Sequence, residues 1–140
     1  MSLIIQEPPA AGISDRSPLE FSIGGAAAGS PFVEVNSTDF TDVAIIRFAG
    51  TTKLGTPINI EIGAFNSNIA ASIDLQILDL NNAPNIIAFL TTPITPGSVD
   101  PVLIDMGTLS NLPAAKAEWA IQARRVSAGK ARVSTISVIF

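Results

Sequence analysis

The chain has 140 residues, with no cysteine, histidine or tyrosine, and a net charge of −4 from eight basic and twelve acidic residues. A chain of this length hides roughly 68–70% of its unfolded surface on folding, so it closes a core without disulfides or metals. The missing residue types exclude Ser-His-Asp and Cys-His catalysis and zinc held by nitrogen or sulfur. The mildly acidic balance lacks the basic field that phosphate backbones require, so no nucleic-acid partner is expected.

Only 14% of the residues are charged, against about 25% in ordinary soluble domains. Hydrophobic residues make up 47%, and mean hydropathy is +0.44. A surface this poor in charge is a liability on a free monomer and is expected to be covered by partners. No apolar run approaches the roughly 20 residues of a membrane helix, so no membrane partner is expected. Met1 to Gln6 has neither a basic start nor a long apolar stretch, which predicts no signal peptide and synthesis in the cytoplasm.

Residues 1–31 form the first segment. Pro8, Pro9, Pro18 and Pro31, with Gly24-Gly25-Ala26-Ala27-Ala28-Gly29, interrupt regular structure, and only Leu19 to Ile23 alternates well enough for a short strand. The segment reads as an extended arm, lying either on a neighbouring subunit or back on its own domain. Leu3, Ile4, Ile5, Ile13 and Phe21 are its apolar anchors.

From residue 32 to 140 the chain reads as a sandwich of short β runs. Strands are expected at Phe32 to Val35, Val43 to Ala49, Ile58 to Phe65 and Ile73 to Leu80. Four more follow at Asn85 to Leu90, Val102 to Met106, Glu118 to Val126 and Arg132 to Phe140. Ile58, Ile60 and Ile62 alternate with Asn59 and Glu61; Ile73, Leu75 and Ile77 alternate with Asp74 and Gln76. Trp119, Ile121 and Ala123 alternate with Glu118, Gln122 and Arg124. Period two in β-branched runs is the pattern of half-buried strands. Asn81-Asn82-Ala83-Pro84 reads as a turn, and Ser127-Ala128-Gly129-Lys130 as a hairpin loop. Gly50 to Gly55 and Thr91 to Asp100 read as longer loops. The Ala-rich stretch around Ala115 is too short for a helix. The fold expected is all-β, a jelly-roll-like antiparallel sandwich of about eight strands with an extended N-terminal arm.

Two acidic clusters carry alternative readings. Asp39 and Asp42, ahead of the second strand, fit calcium ligation, half of a glycosidase pair, or capping of a turn. Asp79-Leu80-Asn81-Asn82 fits an asparagine-rich turn or, again, calcium. Trp119 fits a core residue or a sugar-stacking platform. Arg124 and Arg125 fall on opposite faces of one strand, where they fit a salt bridge to a neighbouring copy or a stem packed along the sandwich rim.

The segments Ile45-Ile46-Arg47-Phe48-Ala49-Gly50-Thr51 with Leu54-Gly55-Thr56-Pro57, Ile77-Leu78-Asp79-Leu80-Asn81-Asn82, and Gly107 to Pro113 followed by Glu118 to Arg125 resemble β-sandwich modules of tailed-bacteriophage structural proteins. The resemblance covers Val43 to Phe140 and leaves the arm outside. It implies a non-enzymatic virion component without cofactors: a capsid cement or decoration protein contacting the major capsid protein or other virion subunits. A homo-oligomer, with a trimer favoured, follows from the preference for closed symmetry. The alternative is a tail or fibre module binding a host-surface glycan, with polar and aromatic residues converging at one end of the sandwich.

Overall fold

The computed structural model describes residues 19–22, 32–66, 71–82, 85–94, 102–127 and 131–140. Among them run nine strands: β1 (Leu19–Ser22), β2 (Val33–Val35), β3 (Thr41–Phe48), β4 (Asn59–Asn66), β5 (Ala71–Asp79), β6 (Asn85–Ile94), β7 (Val102–Asp105), β8 (Ala117–Arg125) and β9 (Ala131–Ile139). A single helical turn, α1 (Thr51–Leu54), follows β3.

One sheet has the order β1-β9-β4-β7, with β2 also on β9, and the other the order β3-β8-β5-β6; every pairing is antiparallel. β1 and β2 lie end to end along one edge of β9, Leu19 opposite Val138 through Ser22 opposite Thr135, then Val33 opposite Val133 through Val35 opposite Ala131. Taken as one interrupted strand, they leave eight strand positions. Their order is first-eighth-third-sixth in one sheet and second-seventh-fourth-fifth in the other, the double Greek key of a jelly roll. Four residues of the N-terminal segment thus belong to a sheet of the chain itself, and Phe21 stands opposite Ile136. Leu3, Ile4, Ile5 and Ile13 lie outside the described residues.

The core is built by the alternation. Ile60 and Ile62 of β4, Ile73, Leu75 and Ile77 of β5, Trp119, Ile121 and Ala123 of β8, and Val133, Ile136 and Val138 of β9 are all buried. Trp119 stacks on Phe48 with ring centroids 4.4 Å apart, which settles it as a core residue and excludes the sugar platform. Ile58 departs from its series: it precedes the first residue of β4 and is exposed. In β9 the alternation shifts by one at Ser134, where the register slips opposite Gly63 and Ala64. The Ser134 hydroxyl donates to the Gly63 carbonyl at 3.3 Å, a polar residue tied off inside the core.

Three connections differ from expectation. β8 and β9 lie in different sheets, so the segment at Ser127 crosses the sandwich instead of closing a hairpin; local turn chemistry cannot tell those two connections apart. β6 continues through Pro93 to Ile94, because β6 is a sheet edge, where a proline's missing N–H interrupts no ladder. Gly50 to Gly55 contains α1, whose Thr51 and Thr52 N–H groups donate to the carbonyls of Pro113 (2.9 Å) and Ala114 (3.2 Å).

Gly50 makes that last contact possible. It has φ 99, and a Cβ there would sit 2.2 Å from the Ala114 carbonyl oxygen, whereas Gly55, with φ 90, would meet nothing within 4 Å. Gly50→Ala is expected to cost about 3 kcal/mol, from left-handed strain plus the clash, and Gly55→Ala about 1 kcal/mol from strain alone. Thermal unfolding of the two variants checks this; equal losses would show that the approach to Ala114 is unimportant.

Candidate interaction surface

The outer face of the β3-β8-β5-β6 sheet gathers most of the side chains that the core does not use. Antiparallel register sets them in ranks across the strands, where directly opposed residues interact. Asp74 of β5 stands opposite Arg124 of β8 and Thr91 of β6. The next rank reads Asp42, Gln122, Gln76, Phe89, and the one after it Ile45, Ala120, Leu78, Ile86. Arg47 opposite Glu118 closes the face.

Arg124 donates from Nε to Asp74 Oδ2 at 2.7 Å, and the Thr91 hydroxyl donates to Asp74 Oδ1 at 2.5 Å. The guanidinium also lies 4.5 Å from the centre of the Phe40 ring, whose edge meets Phe89 with centroids 6.3 Å apart. Arg124 therefore finds its carboxylate within its own chain, held by two strands and an aromatic face, and 41% of its side chain remains exposed. Burial works against the charge of Asp74, but the hydrogen bonds from Thr91 and Arg124 and the nearby cation outweigh it, so its carboxyl sits below the ordinary aspartate value. Arg125 closes β8 opposite Ile73, and its N–H donates to the Ser37 carbonyl at 2.7 Å.

The second rank is a polarised chain. Gln76 Nε2 donates to Gln122 Oε1 at 2.7 Å, and Gln122 Nε2 donates to Asp42 Oδ1 at 2.8 Å. Because a carboxylate only accepts, Asp42 sets the orientation of both amides. Asp42 therefore serves a cross-strand ladder; the turn before β3 is held by the Ser37 hydroxyl, which accepts the Asp39 N–H at 3.0 Å. Asp79 does act as a turn residue: Oδ1 accepts the N–H groups of Asn81 (2.9 Å) and Asn82 (3.2 Å), and Oδ2 accepts Asn82 Nδ2 at 2.7 Å. Among the described residues, no three acidic side chains converge to hold a metal ion.

The third rank is apolar across the full sheet. Ile45 is 55% exposed, Ile86 45% and neighbouring Phe89 48%, while Ala120 between them is fully covered. Sequence reasoning missed this band. In Ile86-Ile87-Ala88-Phe89-Leu90 both faces are apolar, so alternation carries no sign of which residues look outward, and Ile45-Ile46 poses the same ambiguity.

Neither a family model nor a curated protein matches the sequence. Among solved structures, the insecticidal delta-endotoxin Cry8Ea1 from Bacillus thuringiensis superposes with TM-score 0.66 and 13% identity, over 91% of this chain and 24% of that one. The likeness shows a shared β-sandwich fold. A structure of infectious bursal disease virus Gt strain aligns at TM-score 0.42 and 11% identity, over 99% of this chain and 38% of that one, too weak to carry an argument. The chain therefore spans well under half the length of each. The phage-module resemblance is met at the level of the β-sandwich.

Asp74→Asn is expected to cost about 1–2 kcal/mol at neutral pH, allowing for solvent screening of the half-exposed Arg124. Since the carboxyl is held low in the folded state, its contribution is present above the unfolded value and lost as pH falls through the folded one. The gap between the two proteins should therefore close below about pH 4. Urea unfolding at neutral and acid pH measures it; an unchanged gap would mean that the charge contributes nothing.

Proposed function

We propose that this chain is a non-enzymatic structural subunit of a virus particle, a capsid cement or decoration protein, made in the host cytoplasm and assembled into the virion. The observation that carries the reading is the apolar band of exposed Ile45, Ile86 and Phe89 with half-buried Leu78 on a four-stranded face. The charges flanking it are paired within the chain, Arg47 with Glu118 at 3.3 Å and Arg124 with Asp74 at 2.7 Å. Such a face gains from burial and leaves few charges to strand without water, the balance expected at an interface core. The jelly roll agrees by analogy of fold, since capsid and lectin domains both use it.

In this reading the band packs against the major capsid protein or other virion subunits, further copies of this chain among them. The arm supplies the second contact, with Leu3, Ile4, Ile5 and Ile13 as anchors ahead of β1. Homo-oligomers, trimers in the first instance, fit the closed symmetry usual for such subunits.

Light scattering at matched concentration is the test, on the full chain, on a chain beginning at Leu19 so that β1 is kept, and on the double variant Ile86→Lys with Phe89→Lys. A defined oligomer for the full chain is expected, lost in the double variant and weakened by the truncation. An oligomer untouched by both changes would overturn the assignment of band and arm. A monomeric full chain would overturn the homo-oligomer.

A further inference from the structure

A separate site lies at one end of the sandwich, where the β5–β6 turn meets the connection from β7 to β8. An open cleft of about 390 Å³ is lined there by Asn81, Asn82, Asn85, Asn111 and Lys116 over a floor that includes Leu112 and Pro113. It adjoins a smaller depression of about 220 Å³ at Arg47 and Glu118, with Asn81 and Lys116 shared between the two. The four asparagines come from two stretches of chain distant in sequence.

Among the described residues, three of these amides are committed on one side only. Asn81 Oδ1 accepts the Glu118 N–H at 2.7 Å, which leaves its NH2 as a donor. Asn82 Nδ2 donates to Asp79 Oδ2 at 2.7 Å and Asn111 Nδ2 donates to the Ile86 carbonyl at 3.0 Å, which leaves both carbonyl oxygens as acceptors. Each amide is thereby fixed in orientation, and donor and acceptor groups share one cleft.

The walls are equally fixed. Ser110 N–H donates to the Ile87 carbonyl at 2.8 Å and Leu80 N–H to the Glu118 carbonyl at 2.9 Å, while Pro113 and Ala114 are tied to α1. Asn111 has φ 56, a left-handed conformation that asparagine tolerates better than most residues. A site held this way loses little entropy when a ligand enters.

The geometry points to a saccharide-binding cleft, beside the apolar band and unlike it in chemistry. A sugar hydroxyl donates and accepts at once, so a cluster of hydroxyls can meet the Asn81 donor and the Asn82 and Asn111 acceptors together. A fully ionised phosphate group offers acceptors alone and would face two carbonyl oxygens. The sugar's apolar face would lie on Leu112 and Pro113. Lys116 on the rim would meet a carboxylate where the sugar carries one.

The discriminating variant is Asn81→Asp. It keeps the oxygen that accepts the Glu118 N–H and removes the NH2 donor, so the fold is retained while the ligand contact is lost. The full chain is screened on an array of neutral and acidic saccharides, and the strongest binder is titrated while side-chain amide resonances are followed by NMR. Shifts are expected at Asn81, Asn82 and Asn111, with affinity falling about tenfold in Asn81→Asp and unchanged in Phe89→Lys. An array without binding overturns the cleft. So does binding that ignores Asn81→Asp, or that shifts the Phe89 face instead.

Discussion

The stack of Trp119 on Phe48 is buried in the core, and it is set from β8, the strand that pairs with both β3 and β5. With Trp119 inward, Ile121 and Ala123 must follow, and Glu118, Ala120, Gln122 and Arg124 must face out. A slip of one residue would exchange the two sets, placing an arginine and a glutamate in the core. The ranks on the outer face all pass through those β8 positions. The polar ladder, the Arg124–Asp74 pair and the apolar band are consequences of one register.

Much of the fold was legible because its signals are local. Alternation in Ile73-Asp74-Leu75-Gln76-Ile77 and in Glu118-Trp119-Ala120-Ile121 reports strand and buried face together, and both were placed correctly. What was illegible depended on partners distant in sequence. Whether Ser127 opens a hairpin or a crossover depends on which strand lies beside β8, and β8 is flanked by β3 and β5. Pro93 reads as a breaker until β6 is known to be an edge. The shift at Ser134 depends on Gly63, 71 residues away.

The surface was harder to read than the core for the same reason. Asp42 and Arg124 stood out in the sequence as charges, yet their partners, Gln122 and Asp74, are 80 and 50 residues distant. The residues that matter most to the face, Ile45, Ile86 and Phe89, looked like ordinary core residues because apolar neighbours surround them. Of the cleft residues, Asn81 and Asn82 read as turn formers, and their N–H groups are indeed capped by Asp79, while Asn85 reads as the start of a strand. The unused half of each amide becomes visible only once its bonded half is known.

The low charge of the chain takes on a specific meaning in this arrangement. Arg47–Glu118, Arg124–Asp74 and, on the other sheet, Arg132–Glu34 each neutralise a cation beside an anion across paired strands. Exposed pairs of this kind add little to stability, but they keep the sheet faces from presenting a long-range field. Contact with such a face is then governed by shape and apolar area, with electrostatic steering reduced. The amide cleft lies at the end of the strands and borders the apolar band, whose Leu78 and Ile86 stand one residue from the ends of β5 and β6. Asn85 precedes Ile86 in β6 and Asn111 donates to the Ile86 carbonyl, so a partner seated on the apolar face reaches the edge of the amide cleft.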